Sequence, residues 1–353
     1  NLVCQSMTGS GKTHAYLVPI IDNIDAGLTR LQSIILVPSR ELGRQVFEFA
    51  GELGKYFPKI KIRLFTSESD RTQNIDGSSI PPHIIVATPG RAKDLLVDNP
   101  LFPLHGVKTF VLDEADMLME LGYFPDIDGI YSLLPEKVQT MVFSATITQS
   151  LRDQLEKYIG SEFAYEGEDD RTSDTVAHHL VDIKHVGSLL ALRRFLEIRK
   201  PYLALIFASK KEDVKKAYDF LKEAGEDVIF FSGDLGDRER KRAIRLIREN
   251  KYRYVVTSDL LSRGIDITDV TDVISLDLPS DLSYYYHRAG RSGRFGKRGD
   301  SWVFYNADDV KRAKALIAQG VRFEYLSLRP DGLYPDSGVL KEREKPKFRH
   351  DIS

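Results

Sequence analysis

The chain has 353 residues, 42% hydrophobic and 29% charged, and its 50 Lys and Arg against 52 Asp and Glu give a net charge of −2. That length predicts two domains of ordinary globular composition, and the near-neutral balance excludes a uniformly basic molecule, so any polyanion would be met by local patches. No stretch approaches the roughly 18 apolar residues of a spanning helix, and the single cysteine, Cys4, excludes an internal disulfide; a reducing, cytoplasmic setting without membrane contact is expected.

Short β-branched and aromatic runs alternate with segments of helical period, the pattern of βα units around parallel sheets. The chain starts at Asn1 rather than Met, which suggests truncation or processing. The first strand, NLVCQ, leads into Thr8-Gly9-Ser10-Gly11-Lys12-Thr13 and then the helical run HAYLVPIIDNI. A glycine loop between strand and helix cradles phosphates: backbone N–H groups wrap the β-phosphate, Lys12 reaches the β and γ oxygens, and Thr13 ligates magnesium. Ser6 stands where the general pattern has glycine, and a chance GSGKT loop is the competing reading.

The strands SIILVPS and HIIVATP follow, then TFVLDEA, an apolar run ending in paired carboxylates. On a strand neighbouring a phosphate loop, Asp113 would hold Mg²⁺ and Glu114 would polarise an attacking water. An acidic cluster by itself is more often a solvated turn or a helix cap. TMVFSAT ends the first half, and YEGEDDRTSD, residues 165–174, reads as an interdomain linker or a long surface loop. The second half repeats the rhythm, though not the sequence, in LALIFAS, VIFFSG, YVVTSD, VISLDL and SWVFY. The domains are therefore expected at 1–164 and 178–320, with a linker over 165–177 and a C-terminal extension over 321–353.

Nearly every strand ends in a polar or glycine-bearing signature, and in open parallel sheets ligands bind outside the carboxyl ends of strands. One signature, HRAGRSGRFGKRG, sets Arg288, Arg291, Arg294 and Lys297 three residues apart among glycines. A γ-phosphate in its transition state needs more positive charge than one lysine and magnesium supply, and an arginine finger contributes roughly 10³ to 10⁵ in turnover. Arg291 and Arg294 are the candidates; a plain basic nucleic-acid loop is the alternative.

The ordered series SMTGSGKT, PSRELGRQ, TPGR, DEAD, SAT, LIFASKK, TSDLLSRGID and HRAGRSGRFGKRG resembles the DEAD-box ATP-dependent RNA helicases of superfamily 2 over residues 1–305. The second half is similar to bacterial cold-shock-type members. The resemblance implies two tandem RecA-like α/β domains, each a mainly parallel sheet flanked by helices. It also implies an RNA-dependent ATPase that unwinds short duplexes or remodels RNA–protein complexes. In this sequence it assigns Thr8, Gly9, Ser10, Gly11, Lys12, Thr13 and Asp113 to Mg-ATP, Glu114 to the catalytic base, Arg291 and Arg294 to the fingers, and Asp266 to the ribose. His287 and Arg288 would couple the ATP site to the other motifs, and Ser144 and Thr146 would link hydrolysis to strand separation.

For RNA the resemblance points to Pro38, Arg40, Thr88, Gly90 and Arg91 in the first domain. In the second it points to Gly233, Asp234, Thr257, Arg263 and Gly264. These are hydroxyls, arginines and backbone amides, which grip phosphates and sugars without reading bases, so binding independent of sequence is expected. As single residues most would be ordinary caps or surface charges.

The match has departures. The upstream glutamine-containing element that reads adenine is absent, so ATP over GTP is inherited from the resemblance alone. TSESDRTQ replaces a glycine doublet, Ser232 stands for histidine and Asp237 for glutamine. The resemblance suggests a monomer acting with ribosomal or RNA-decay partners. Two rivals remain in view. A DNA translocase of the same superfamily is opposed by the DEAD and SAT spellings, and a non-hydrolysing RNA clamp by intact Lys12, Glu114 and Arg291.

Overall fold

Ile34 and Leu36 belong to one core cluster and Ile35 and Val37 to another, and all four are fully buried. A strand apolar on both faces is stable only inside a sheet covered by helices on both sides. The computed structural model contains two parallel-dominated sheets, and it describes residues 1–6, 11–66, 80–160, 164–167, 175–183, 186–231, 235, 237–258, 267, 269–293, 298–306 and 309–336.

The first sheet holds β1 (Leu2–Gln5), β2 (Ser33–Leu36), β3 (Ile62–Phe65), β4 (Ile84–Ala87), β5 (Thr109–Leu112), β6 (Gln139–Ser144) and β7 (Ala164–Gly167). All pairs are parallel, in the order β3-β4-β2-β5-β6-β1-β7. Helices α1 (Lys12–Asp22) and α2 (Arg40–Gly54) supply one core through Tyr16, Leu17, Ile20, Leu42 and Val46. The other core takes residues of α3 (Pro89–Lys93), α4 (Ala115–Glu120), α5 (Phe124–Tyr131) and α6 (Gln149–Ile159), with a π-helical turn at Asp94–Asp98.

The second sheet holds β8 (Val176–Asp182), β9 (Ala204–Phe207), β10 (Val228–Phe231), β11 (Tyr254–Thr257), β12 (Asp272–Ser275), β13 (Gly299–Tyr305), β14 (Phe323–Arg329) and β15 (Gly332–Pro335). Its order is β10-β11-β9-β12-β13-β8-β14-β15, with only the last pair antiparallel among the described strands. Helices α7 (Ser188–Arg199) and α8 (Lys211–Glu223) pack on it through Leu192, Phe195, Val214 and Leu221. Helices α9 (Asp237–Arg248), α10 (Ser283–Ala289) and α11 (Val310–Ala318) complete the set. Subtracting seven from each strand number turns the second order into the first, with β15 added. One winding is used twice by two sequences that share only a rhythm.

The domain limits differ from the expected ones in two places. The strand β7 runs to Gly167 and β8 starts at Val176, so both ends of the expected linker belong to sheets. Residues 321–336 are no separate extension: β14 lies parallel to β8 and carries β15, covering an edge of β8 that would otherwise present unpaired amides and carbonyls.

The strand β8 escapes a reading by periodicity because its sequence VAHHLVD contains two histidines, and both are buried. His179 stacks on Trp302 at 3.8 Å and sits between the carboxylates of Glu324 and Asp300, each at 2.8 Å. Arg199 joins Asp300 to Asp272, to which the Trp302 indole donates at 2.9 Å. His178 contacts the Tyr285 hydroxyl through Nδ1, and burial, followed by the neighbouring His179, pushes its pKa down to about 4. A histidine held neutral in the fold contributes stability that is present above its unfolded pKa near 6.5 and is lost as pH falls toward 4. Unfolding free energy is therefore expected to drop by about 3 kcal/mol between pH 6.5 and 4 from this residue, and urea titrations across that range should show the slope flattened in His178→Asn.

Candidate nucleotide and RNA site

The residues expected to handle nucleotide end on three neighbouring strands. β1 leads into Ser6, β5 into Asp113 and Glu114, and β6 ends at Ser144. Gly11, at φ 94°, opens α1 in a conformation that disfavours any side chain. Lys12 reaches back to donate to the Ser6 carbonyl at 2.7 Å, and the Ser6 amide is held by the Ser144 carbonyl at 3.0 Å. The position where glycine was expected thus anchors the lysine through its backbone. Thr8, Gly9 and Ser10 lie outside the described residues.

Asp113 is buried. Its Oδ1 accepts from the Glu114 amide at 3.0 Å and its Oδ2 from the Tyr16 hydroxyl at 2.8 Å. Burial raises its pKa to about 6, against the opposing pull of Lys12. Glu114 takes a left-handed conformation, φ 49° and ψ 55°, and caps α4, a sharp turn that costs roughly 1 to 3 kcal/mol and persists only where surroundings enforce it. Its Oε2 is buried without a hydrogen-bond partner among the described residues.

The last residue of the DEAD run, Asp116, ties this edge together. Its Oδ2 accepts from the Thr146 hydroxyl at 2.9 Å and the Thr146 amide at 3.1 Å. The Asp116 amide donates to Ser144 Oγ at 3.2 Å, and Ser144 Oγ donates to the Thr146 carbonyl at 2.8 Å. The turn after β6 and the start of α4 therefore form one hydrogen-bonded unit.

The first-domain RNA candidates stand next door, at the carboxyl ends of β2 and β4. Pro38 is buried and Arg40 exposed at the start of α2, whose N-cap Ser39 accepts from the Leu42 amide at 3.2 Å. Thr88 caps α3, Gly90 is exposed, and Arg91 pairs with Asp94 through Nη1 while its Nε and Nη2 are buried without partners among the described residues. Two unsatisfied guanidinium donors of this kind can bond a phosphate oxygen only once they are uncovered.

In the second unit Arg288 is fully buried. It donates to the Asp277 carbonyl at 2.9 Å and to Ser209 Oγ at 3.1 Å, pairs with the Asp277 carboxylate at 3.2 Å, and lies over the Phe207 ring. His287 and Arg291 are buried too, and Arg291 Nε donates to the His287 carbonyl at 3.4 Å. Two glycines of this stretch, Gly293 and Gly299, serve the chain itself. A Cβ on Gly299 would lie 2.3 Å from the Gly293 amide, and one on Gly293 would lie 2.7 Å from Val176. Thr257 is buried at the end of β11. Gly233, Asp234, Arg263, Gly264, Asp266 and Arg294 lie outside the described residues, as does the segment replacing the glycine doublet.

Comparison with known proteins agrees with this geometry. The DEAD/DEAH box helicase model matches residues 1–154 and the helicase conserved C-terminal domain matches 187–296. The DEAD-box ATP-dependent RNA helicase CshB of Bacillus subtilis is 35% identical over 350 residues, covering 98% of this chain and 80% of the relative. The chain belongs to the DEAD-box ATP-dependent RNA helicases. A CshB from Listeria monocytogenes is 37% identical over 329 residues, 92% of this chain and 75% of that one. The structure of S. cerevisiae Dbp5 bound to RNA and ADP BeF3 superposes with a TM-score of 0.83 at 29% identity, over 93% of this chain and 85% of that one. The bacterial cold-shock-type resemblance of the second half agrees with these relatives.

For this DEAD-box helicase, sequence reasoning missed Asp116, Tyr16, Ser209 and Asp277. Asp116 was legible, since it completes a motif already quoted; the other three are recognisable only once the strands are placed side by side. Asp116→Asn should lower the stability of the first unit by about 1 to 3 kcal/mol, because the side-chain amide replaces one acceptor oxygen facing Thr146. Chemical denaturation of the variant checks this.

Proposed function

We propose that this helicase grips RNA backbone without regard to sequence and couples that grip to Mg-ATP hydrolysis, locally unwinding short duplexes or remodelling RNA–protein complexes in the cytoplasm. The observation that carries the proposal is adjacency: nucleotide candidates end on β5, β6 and β1, and backbone-gripping candidates on β2 and β4 of the same edge.

The residues present fit magnesium. No group of three His, Cys, Asp or Glu that could cage a metal occurs among the described residues, so Thr13 and Asp113 would hold the ion with phosphate oxygens and water completing its shell, as this hard cation prefers. Bound there, it would neutralise charge on the β and γ oxygens. Lys12 would exchange the Ser6 carbonyl for a phosphate oxygen. Glu114, with one carboxylate oxygen unpartnered among the described residues, is suited to orient the attacking water and accept its proton. The Asp116 network would transmit the state of the phosphate site to the Ser144–Thr146 turn. Arg291 and Arg294 would supply further positive charge, and His287 with Arg288 would hold them in place. ATP and RNA, each favouring the same bound state, must then raise each other's affinity.

Steady-state ATPase rates with and without structured RNA, at low and moderate salt, test this reading. RNA should stimulate turnover, with stimulation falling as salt rises because phosphate contacts release counterions. Glu114→Gln should lower turnover by roughly 10² to 10⁴ while leaving ATP-dependent RNA binding intact. Equal stimulation by DNA of the same sequence would favour a DNA translocase, and a Glu114→Gln variant as active as wild type would favour a binding clamp.

A further inference from the structure

Tyr16 lies at the bottom of the nucleotide edge, fully buried, one helical turn after Thr13. Its ring packs against Phe143 at 5.1 Å among Leu17, Ile35 and Val111, and phenylalanine would fill that space equally well. A phenol hydroxyl in such a core must be hydrogen-bonded, and here its partner is Asp113. The hydroxyl donates to Asp113 Oδ2 at 2.8 Å. Asp113 is one of the two residues assigned above to magnesium.

We infer that Tyr16 is a positioning residue for the metal: its hydroxyl, bonded to Asp113 Oδ2, fixes the orientation of that ligand before the ion arrives. The assignment rests on the magnesium reading given under Proposed function. With Oδ1 held by the Glu114 amide and Oδ2 by Tyr16, the Asp113 carboxylate has both oxygens fixed in place. Each oxygen keeps a second acceptor direction, so the ion can be bound without breaking this frame. Without the hydroxyl only the Glu114 amide restrains the carboxylate, and the cost of ordering its other oxygen falls on metal binding. Nucleotide binding in the absence of metal depends on the loop amides and Lys12 and should be insensitive to it.

The test is calorimetric titration of ADP into the whole chain, once in EDTA and once in saturating Mg²⁺, giving the ratio of the two dissociation constants. Tyr16→Phe should reduce that ratio roughly five- to tenfold relative to wild type, with the EDTA affinity unchanged. The Mg²⁺ concentration for half-maximal ATPase should rise in parallel. Tyr131→Phe is the control; it removes a hydroxyl in the same unit that donates only to the Tyr158 carbonyl, at 2.9 Å, and it should leave the ratio unchanged. An unchanged ratio in Tyr16→Phe overturns the assignment, and so does an equal loss of affinity in EDTA and Mg²⁺, which would mark Tyr16 as packing alone. A wild-type ratio near one would overturn the magnesium reading, and the assignment with it.

Discussion

Two carboxylates buried at one edge of a parallel sheet set the conditions for everything else in the first unit. A buried charge is tolerated only when it is hydrogen-bonded or neutralised. Asp113 meets that demand with a backbone amide, a tyrosine hydroxyl and the nearby charge of Lys12, and Asp116 meets it with the amide and hydroxyl of Thr146. Satisfying these acids therefore fixes the start of α4, the turn after β6 and the position of α1 relative to β5. The turn after β6, the start of α4 and the seat of α1 depend on the same hydrogen bonds, so none can be loosened without disturbing the others.

The second unit shows what the same winding does without that chemistry. Strand register aligns Leu36 with Leu112 in one sheet and Phe207 with Ser275 in the other. Two residues further on stand Pro38 and Glu114 in the first unit, and Ser209 and Asp277 in the second. The two acids occupy equivalent places and meet opposite fates. Glu114 keeps a carboxylate oxygen unpartnered among the described residues, whereas Asp277 is taken up by Arg288 and Ser209. A carboxylate bound by a buried arginine has its acceptor oxygens occupied within the fold. The duplicated fold thus sets an acid at the same place twice, once with an oxygen unpartnered among the described residues and once bound by a buried arginine.

Most of the sheet was legible because its strands are short apolar runs between turn signatures, and ten of the fifteen are quoted as runs in the sequence. The others escaped for physical reasons. β8 hides two histidines in its core, β3 is a four-residue edge strand with a half-buried Arg63, and β14 with β15 extends the sheet past the last motif. Site residues that belong to contiguous motifs could be named from spacing alone. Tyr16 and Asp277 could not, because the partner that gives each its meaning lies 97 residues away for Tyr16 and 68 for the Asp277–Ser209 contact.

The arginines of HRAGRSGRFGKRG show why a cationic period does not by itself reveal its anion. Arg288 and Arg291 are equally buried, yet Arg288 spends its donors inside its own unit on Asp277 and Ser209. Gly299 cannot carry a Cβ because the Gly293 amide would lie 2.3 Å from it, and Gly293 cannot because Val176 would lie 2.7 Å from it. A buried arginine with an internal carboxylate is committed before any ligand binds, so its contribution to phosphate chemistry can only be indirect, through the position of the residues it holds.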